Sequence, residues 1–300
     1  MTRWQPMACW PALAAAILTN IPAAAADGGR HLALQVSGIP GASASEGVEL
    51  EESSNQISVG LHRFGNDEAW LGVGLEYQYT RYEYEGLDSR NRDLHRFQVP
   101  VRWQWTADTW TYGGVVAPGL ATSSNVIKDP FNLVTADDVV VTARVHARRP
   151  LGGGTFYLGA AWDRLFGRPA LYPFGGVEYA AGDRWHLRVG LPDPSVSFRA
   201  SQRHTLSARL YPAGNQWHVL SDDWRNDFLY RAEGYRSRLT WSVNAFSSVT
   251  IDVFAGLEFG RHHRLETSTG NDRRLDVDSQ WLFGVGVRSA SAPMVFVHDY

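Results

Sequence analysis

The sequence predicts an all-β fold, a closed antiparallel transmembrane β-barrel of about 12–14 strands. The first of three observations behind this is long period-two alternation. From Leu71 to Tyr79 one face carries Leu71, Val73, Leu75, Tyr77 and Tyr79, and the other Gly72, Gly74, Glu76 and Gln78. The returning segment sets Phe97, Val99, Val101, Trp103 and Trp105 against Arg96, Gln98, Arg102 and Gln104. The second observation is length: these segments reach the roughly nine to eleven residues a tilted strand needs to cross a bilayer, beyond the five or six or so usual in soluble proteins. The third is chemistry. Trp70, Trp103, Trp105, Trp110, Trp185 and Trp241 sit beside short connections, as an aromatic girdle requires. Opposite them lie arginine and glutamate, which a polar lumen accepts and a sandwich core does not.

Composition removes other classes. A net charge of −3 over 300 residues is not that of a nucleic-acid binder, and beyond the N-terminus no apolar run approaches the roughly eighteen residues of a membrane helix. Residues 1–26 read as a secretory signal peptide: Arg3, then a mostly apolar Pro11 to Ile21, then Ala24-Ala25-Ala26 before Asp27. An anchor helix is the alternative, and the apolar run is too short for it. Cys9, the only cysteine, falls within that segment, so the barrel domain, 27–300, has no disulfide and depends on sheet closure.

In chain order, strands are expected near 31–38, 55–64, 69–84, 92–106, 109–121, 136–149, 154–164, 173–181, 184–191, 195–200, 205–211, 228–245, 249–263 and 275–288. Short periplasmic turns near 65–68, 107–109, 151–153, 182–183 and 246–248 alternate with outer connections at 39–54, 85–91, 122–135, 165–172, 212–227 and 264–274. The exception is Pro192-Asp193-Pro194, a tight outer turn between two short strands. Strands of that length reach only about 17 Å at a 45° tilt, below an apolar band of about 25 Å. Any lateral opening, or contact with a second copy of the chain, is expected at this hairpin, on Leu187, Val189, Leu191, Val196 and Phe198. Elsewhere the outward face is Val139, Val141 and Val145; Phe156, Leu158 and Trp162; Leu239, Trp241 and Val243; Ile251, Val253, Leu257 and Phe259; and Trp281, Phe283, Val285 and Val287.

The stretches from Asp183 to Phe198, from Gln202 to Val219 with Pro212-Ala213-Gly214-Asn215-Gln216-Trp217, and from Leu275 to Gly284 resemble recurring segments of a family of proteobacterial outer-membrane barrel proteins of unknown function. The likeness covers about a third of the chain. It implies a barrel in the outer membrane of a Gram-negative bacterium, surrounded by outer-membrane lipids and lipopolysaccharide and inserted by the barrel-assembly machinery. It supplies no activity, no cofactor and no site residues. The chain departs from such barrels in that residues 289–300 follow the apparent last strand. Met294, Phe296, His298 and Tyr300 share one parity, so this tail is either the closing strand or a periplasmic extension.

The inward face gathers charge of both signs, with Arg102, Arg144, Arg188, Glu76, Glu258 and Asp278 as the lining of any pore. Two roles compete. One is a structural or loop-mediated interaction barrel whose lumen is closed by ion pairs; the other is a narrow, anion-leaning channel. Hydrolysis of lipids is a weaker third reading, since Ser237, Ser247 and Ser248 show no special spacing to His262 or His263 and no nucleophile elbow is present. No metal site is expected: adjacent His262 and His263 point to opposite faces of a strand, His204 and His218 stand apart, and Asn271, Asp272, Asp276 and Asp278 read as a solvated loop.

Overall fold

The computed structural model describes residues 31–86, 92–220, 227–246, 248–267 and 272–289. Residues 1–26, expected to be a signal peptide, and the tail 290–300 lie outside them. Among the described residues seventeen strands form one sheet: β1 (His31–Ala44), β2 (Val48–Gly65), β3 (Ala69–Glu85), β4 (Arg92–Gln98), β5 (Val101–Ala107), β6 (Trp110–Ser123), β7 (Val139–Leu151), β8 (Gly154–Asp163) and β9 (Ala170–Ala181). There follow β10 (Trp185–Leu191), β11 (Ser195–Arg199), β12 (His204–Pro212), β13 (Asn215–Leu220), β14 (Asp227–Phe246), β15 (Val249–Thr267), β16 (Arg273–Val277) and β17 (Gln280–Ser289). Two short helices, α1 (Ser124–Lys128) and α2 (Pro130–Leu133), lie between β6 and β7.

The sheet closes on itself, because β17 pairs antiparallel with β1. Three pairs of segments are each one stave with an interruption. Both β4 and β5 pair with β3 and with β6. Both β12 and β13 pair with β14, and both β16 and β17 with β15. Counted as staves the wall is fourteen-stranded, the upper end of the expected range. Pro100 explains the first interruption, since it offers the ladder no amide; its carbonyl still accepts from Gly74 N at 2.9 Å. His31 and Ser289 both lie at the short-turn end, which in barrels of this class faces the periplasm.

The membrane-embedded part follows the expected register. Leu71, Leu75, Val141, Leu158, Leu239, Trp241, Val253, Phe283 and Val285 are exposed on its outside, and no charge interrupts this set. A charge at mid-height there meets hydrocarbon. Leu239→Arg should cost about 2–4 kcal/mol of unfolding free energy, measured by urea titration in vesicles; an unchanged value would remove Leu239 from the lipid-facing surface.

Above the membrane the structure departs from expectation. Residues 39–54 are not a loop: β1 and β2 run on to a tight turn at Ser45–Gly47, with Ala44 opposite Val48. The connection expected at 212–227 contains β13, and that at 122–135 contains α1 and α2. Along these extended strands the alternation reverses its sense. On β14, Arg236, Arg238 and Thr240 face inward and Leu239 and Trp241 outward, but further up Tyr230 and Ala232 are buried inside and Arg231 pairs outside with Glu266 at 2.7 Å. On β2 buried Ser58 and Ser54 give way to buried Leu50 and Val48, with Glu49 and Glu51 outside. On β15 a bulge shifts the register between Phe259 and His262, and Gly260, at φ 61°, takes the left-handed conformation it requires.

The outer end is therefore built like a soluble domain, polar outside and apolar within. Its core joins Leu50, Tyr82, Leu94, Trp217, Tyr230 and Leu275, each 3% exposed or less. Fewer staves reach it than form the barrel below. The staves β7 to β11 end lower, and β13 reaches across their tops to make a parallel contact with β6, His218 opposite Thr122. The connection after β8 crosses to meet it, the Gly214 amide donating to Leu165 O at 2.7 Å. That approach admits only glycine: a Cβ on Gly214 would stand 2.2 Å from the Gly167 amide nitrogen. The short hairpin β10–β11 thus lies beneath a roof made by other parts of the chain. Asp193 in its turn is buried rather than solvated, paired with Arg209 at 2.9 Å and Arg188 at 3.6 Å.

Candidate functional site

Beneath the outer core the lumen is polar. In its half nearer the short turns lies a cavity of about 250 Å³ whose lining includes Arg102, Arg144, His146, Arg148, Glu178 and Arg188, with Tyr157, Phe174 and Trp70 as aromatic walls. Period two places them: on β7 the lipid-facing Val145 separates Arg144 from His146, and on β8 outward Leu158 leaves Tyr157 inside. Arg148, near the turn into β8, is 41% exposed in its side chain, whereas Arg144, four residues deeper, is 8% exposed overall, so the cavity opens toward the short-turn end.

The charges in it are held. Arg102 donates to Glu76 at 2.7 Å. Arg148 pairs with Glu178, which Arg188 also approaches at 3.8 Å. Two guanidinium groups lie on rings: Arg144 over Phe174 at 3.8 Å and Arg188 over Tyr157 at 4.8 Å, with Arg188 Nε also donating to the Tyr157 hydroxyl at 3.0 Å.

A second ionic layer sits on the opposite wall, under the outer core. Arg236 bonds Glu258 at 2.5 Å, and Arg261 bridges Glu52 and Glu258, both at 3.3 Å. Below it Arg288 pairs with Asp252 at 2.9 Å. The ceiling is Arg96, which lies over the Trp217 ring at 5.8 Å. Higher still, outside the membrane, His218 is joined to Asp138 at 3.0 Å, tying the segment after α2 to β13. That bond holds the imidazole above its ordinary range despite burial. Burial pushes the Asp138 carboxyl up, and its hydrogen bonds from His218 and Thr135 outweigh that and hold it below its ordinary range.

Of the residues expected to line a pore, Arg102, Arg144 and Arg188 share this cavity, Glu76 stands beside it through Arg102, and Glu258 belongs to the separate layer above. Asp278 does not face the lumen. The wall loses two residues of pairing between β16 and β17, the parity inverts, and Asp278 and Asp276 lie exposed while Leu275 and Val277 point in. Trp70 is the matching correction in the girdle: it shares parity with Gly72, against which its ring lies, and it lines the cavity instead of meeting lipid. Trp105, Trp185 and Trp241 are exposed on the outside, and Trp110 stacks with exposed Tyr112. Tyr157 and Phe174, absent from the expected lining, also belong to the site, and their parity places them inside. Ser237 faces Leu257 in the ladder, several residues from His262, which pairs with Asp276 at 2.7 Å. Among the described residues no group of His, Cys, Asp and Glu is arranged to hold a metal ion.

No family model matches the chain, and no curated protein matches it in sequence. Solved structures similar to it include an outer membrane channel from Pseudomonas putida F1, with a TM-score of 0.48 at 11% identity over 88% of this chain and 96% of that one. The Pseudomonas putida toluene transporter TodX gives a TM-score of 0.40 at 11% identity over 93% of each chain. A Pseudomonas aeruginosa FadL homologue gives 0.34 at 11% identity over 88% of this chain and 91% of that one.

Proposed function

We propose that the protein is a barrel of the Gram-negative outer membrane that is sealed on its outer side, a structural or interaction element presenting a polar vestibule to the periplasm, and not an open pore. One observation carries this: the apolar core of Tyr82, Trp217, Tyr230, Leu50, Leu94 and Leu275 fills the outer end where a straight aqueous path would have to run. Ion pairs close much of what remains below it. An outer-membrane location fits a fourteen-stave barrel with an apolar belt and short turns at one end.

The polar vestibule itself favours a second reading, a small-solute channel whose route would pass the aromatic core only after that core moves. Planar-bilayer recording separates the two. The sealed barrel should give no stepwise conductance at any voltage in 1 M or so of salt, while Trp217→Ala combined with Tyr230→Ala should introduce it by hollowing the seal. Steady conductance from the unaltered chain would refute the sealed reading.

A further inference from the structure

We propose that the periplasmic vestibule is a binding site for a small oxyanion, a carboxylate or a phosphate. Four arginines, Arg102, Arg144, Arg148 and Arg188, line the cavity against the single carboxylate Glu178. Glu178 already serves two of them, Glu76 serves Arg102, and Asp193, 3.6 Å from Arg188, is shared with a fifth arginine, Arg209, at 2.9 Å. The excess of positive charge continues above. Arg96 is 3% exposed, and neither its Nε nor its Nη2 has a hydrogen-bond partner; Arg164 Nε is in the same condition. A lumen with cations in excess attracts an anion from the side open to water.

The geometry suits an oxyanion better than a halide. Stacking on Phe174 and Tyr157 holds the planes of Arg144 and Arg188 in place, and a fixed guanidinium edge offers the paired N–H donors that match two oxygens of one carboxylate or phosphate. The volume, about 250 Å³, is about eight times the share of one water in the liquid, enough for inorganic phosphate or for a carboxylate carrying one ring. Entry is from the periplasmic mouth, past Trp70 and Arg148. The inference needs only that open mouth and is independent of whether the outer end is sealed.

The test is equilibrium dialysis of the full mature chain, folded in a zwitterionic detergent, against radiolabelled inorganic phosphate and radiolabelled benzoate, with ionic strength held constant by chloride. Saturable binding is expected, weakened about tenfold or more by Arg144→Gln or Arg148→Gln, the loss of a charge-assisted contact. Arg274→Gln, on an exposed arginine at the outer end, should leave it unchanged. Binding of benzoate alone assigns a carboxylate, of phosphate alone a phosphate, and of both the shared chemistry. Absence of saturable binding of either probe, or binding that Arg148→Gln does not alter, overturns the proposal. Should Arg144→Gln fail to give a heat-modifiable gel band, Arg148→Gln decides, since its side chain is substantially exposed and its loss leaves the wall intact. A conducting barrel that still binds phosphate would refute the sealed reading alone.

Discussion

Trp217→Ala should destabilise the outer core by about 3–5 kcal/mol, the range for emptying a fully buried aromatic position. Trp217 is 2% exposed, meets Tyr82 at 6.1 Å and Tyr230 at 6.2 Å between ring centres, and roofs Arg96. Its strand, β13, is also the one that closes the outer end against β6. The loss should be confined to that end. Protease added to intact vesicles should cut the outer segments of β13 and β14 in the variant and not in the parent, while the heat-modifiable band reporting the membrane-embedded wall persists. A variant as resistant as the parent would mean that Trp217 does not hold the outer core together.

Glu258→Ala should be comparably severe for an electrostatic reason. Glu258 accepts from Arg236 and faces Arg261, and both arginines would be left to share Glu52, which lies 3.8 Å from Arg236 and 3.3 Å from Arg261. Removing one partner of a buried pair costs about 3–5 kcal/mol, because the charge left behind stays desolvated. Urea unfolding should show the full loss in Glu258→Ala and part of it restored when Arg261→Leu is added. A single variant that unfolds within about 1 kcal/mol of the parent would show that water already reaches Arg261.

The membrane-embedded wall was legible because one rule holds along it. In β3, β5, β7 and β14 most outward positions of the membrane-embedded part are apolar and most inward ones small or polar, Ser237 outside and Trp70 inside being exceptions, so parity alone places Arg102, Arg144 and Arg238 inside. Legibility failed where the rule inverts. Residues 39–54 looked like a loop because their alternation, with Leu50 and Val48 in and Glu49 and Glu51 out, is that of a soluble barrel and contradicts the lipid-facing pattern beside it. The parity of β17, extended back along the chain, puts Asp278 in the lumen, and the two-residue break in pairing that reverses it is not announced by composition. The cavity was half legible: its arginines followed from parity, but Phe174 under Arg144 depends on how far the sheet curls, which a one-dimensional pattern does not contain.

The reversal of polarity along the long staves also fixes how deep the molecule floats. A one-residue slip of β14 would be penalised at two heights at once, with Arg236 and Arg238 sent into hydrocarbon and Tyr230 and Ala232 into water. A two-residue slip keeps every side chain on its own face but moves the crossover by about 7 Å along the strand. On β2 the crossover falls around Glu52, on β3 near Thr80, on β14 at Gly234 and on β15 at Gly260, and the ladder sets them side by side: Glu52 is paired with Tyr82, while Glu233 and Tyr235 flank the bulge at Gly260. These neighbouring crossovers draw a waterline around that side of the barrel. Sliding any one stave would leave its mark above or below its neighbours', so strand register and immersion depth are set by the same residues.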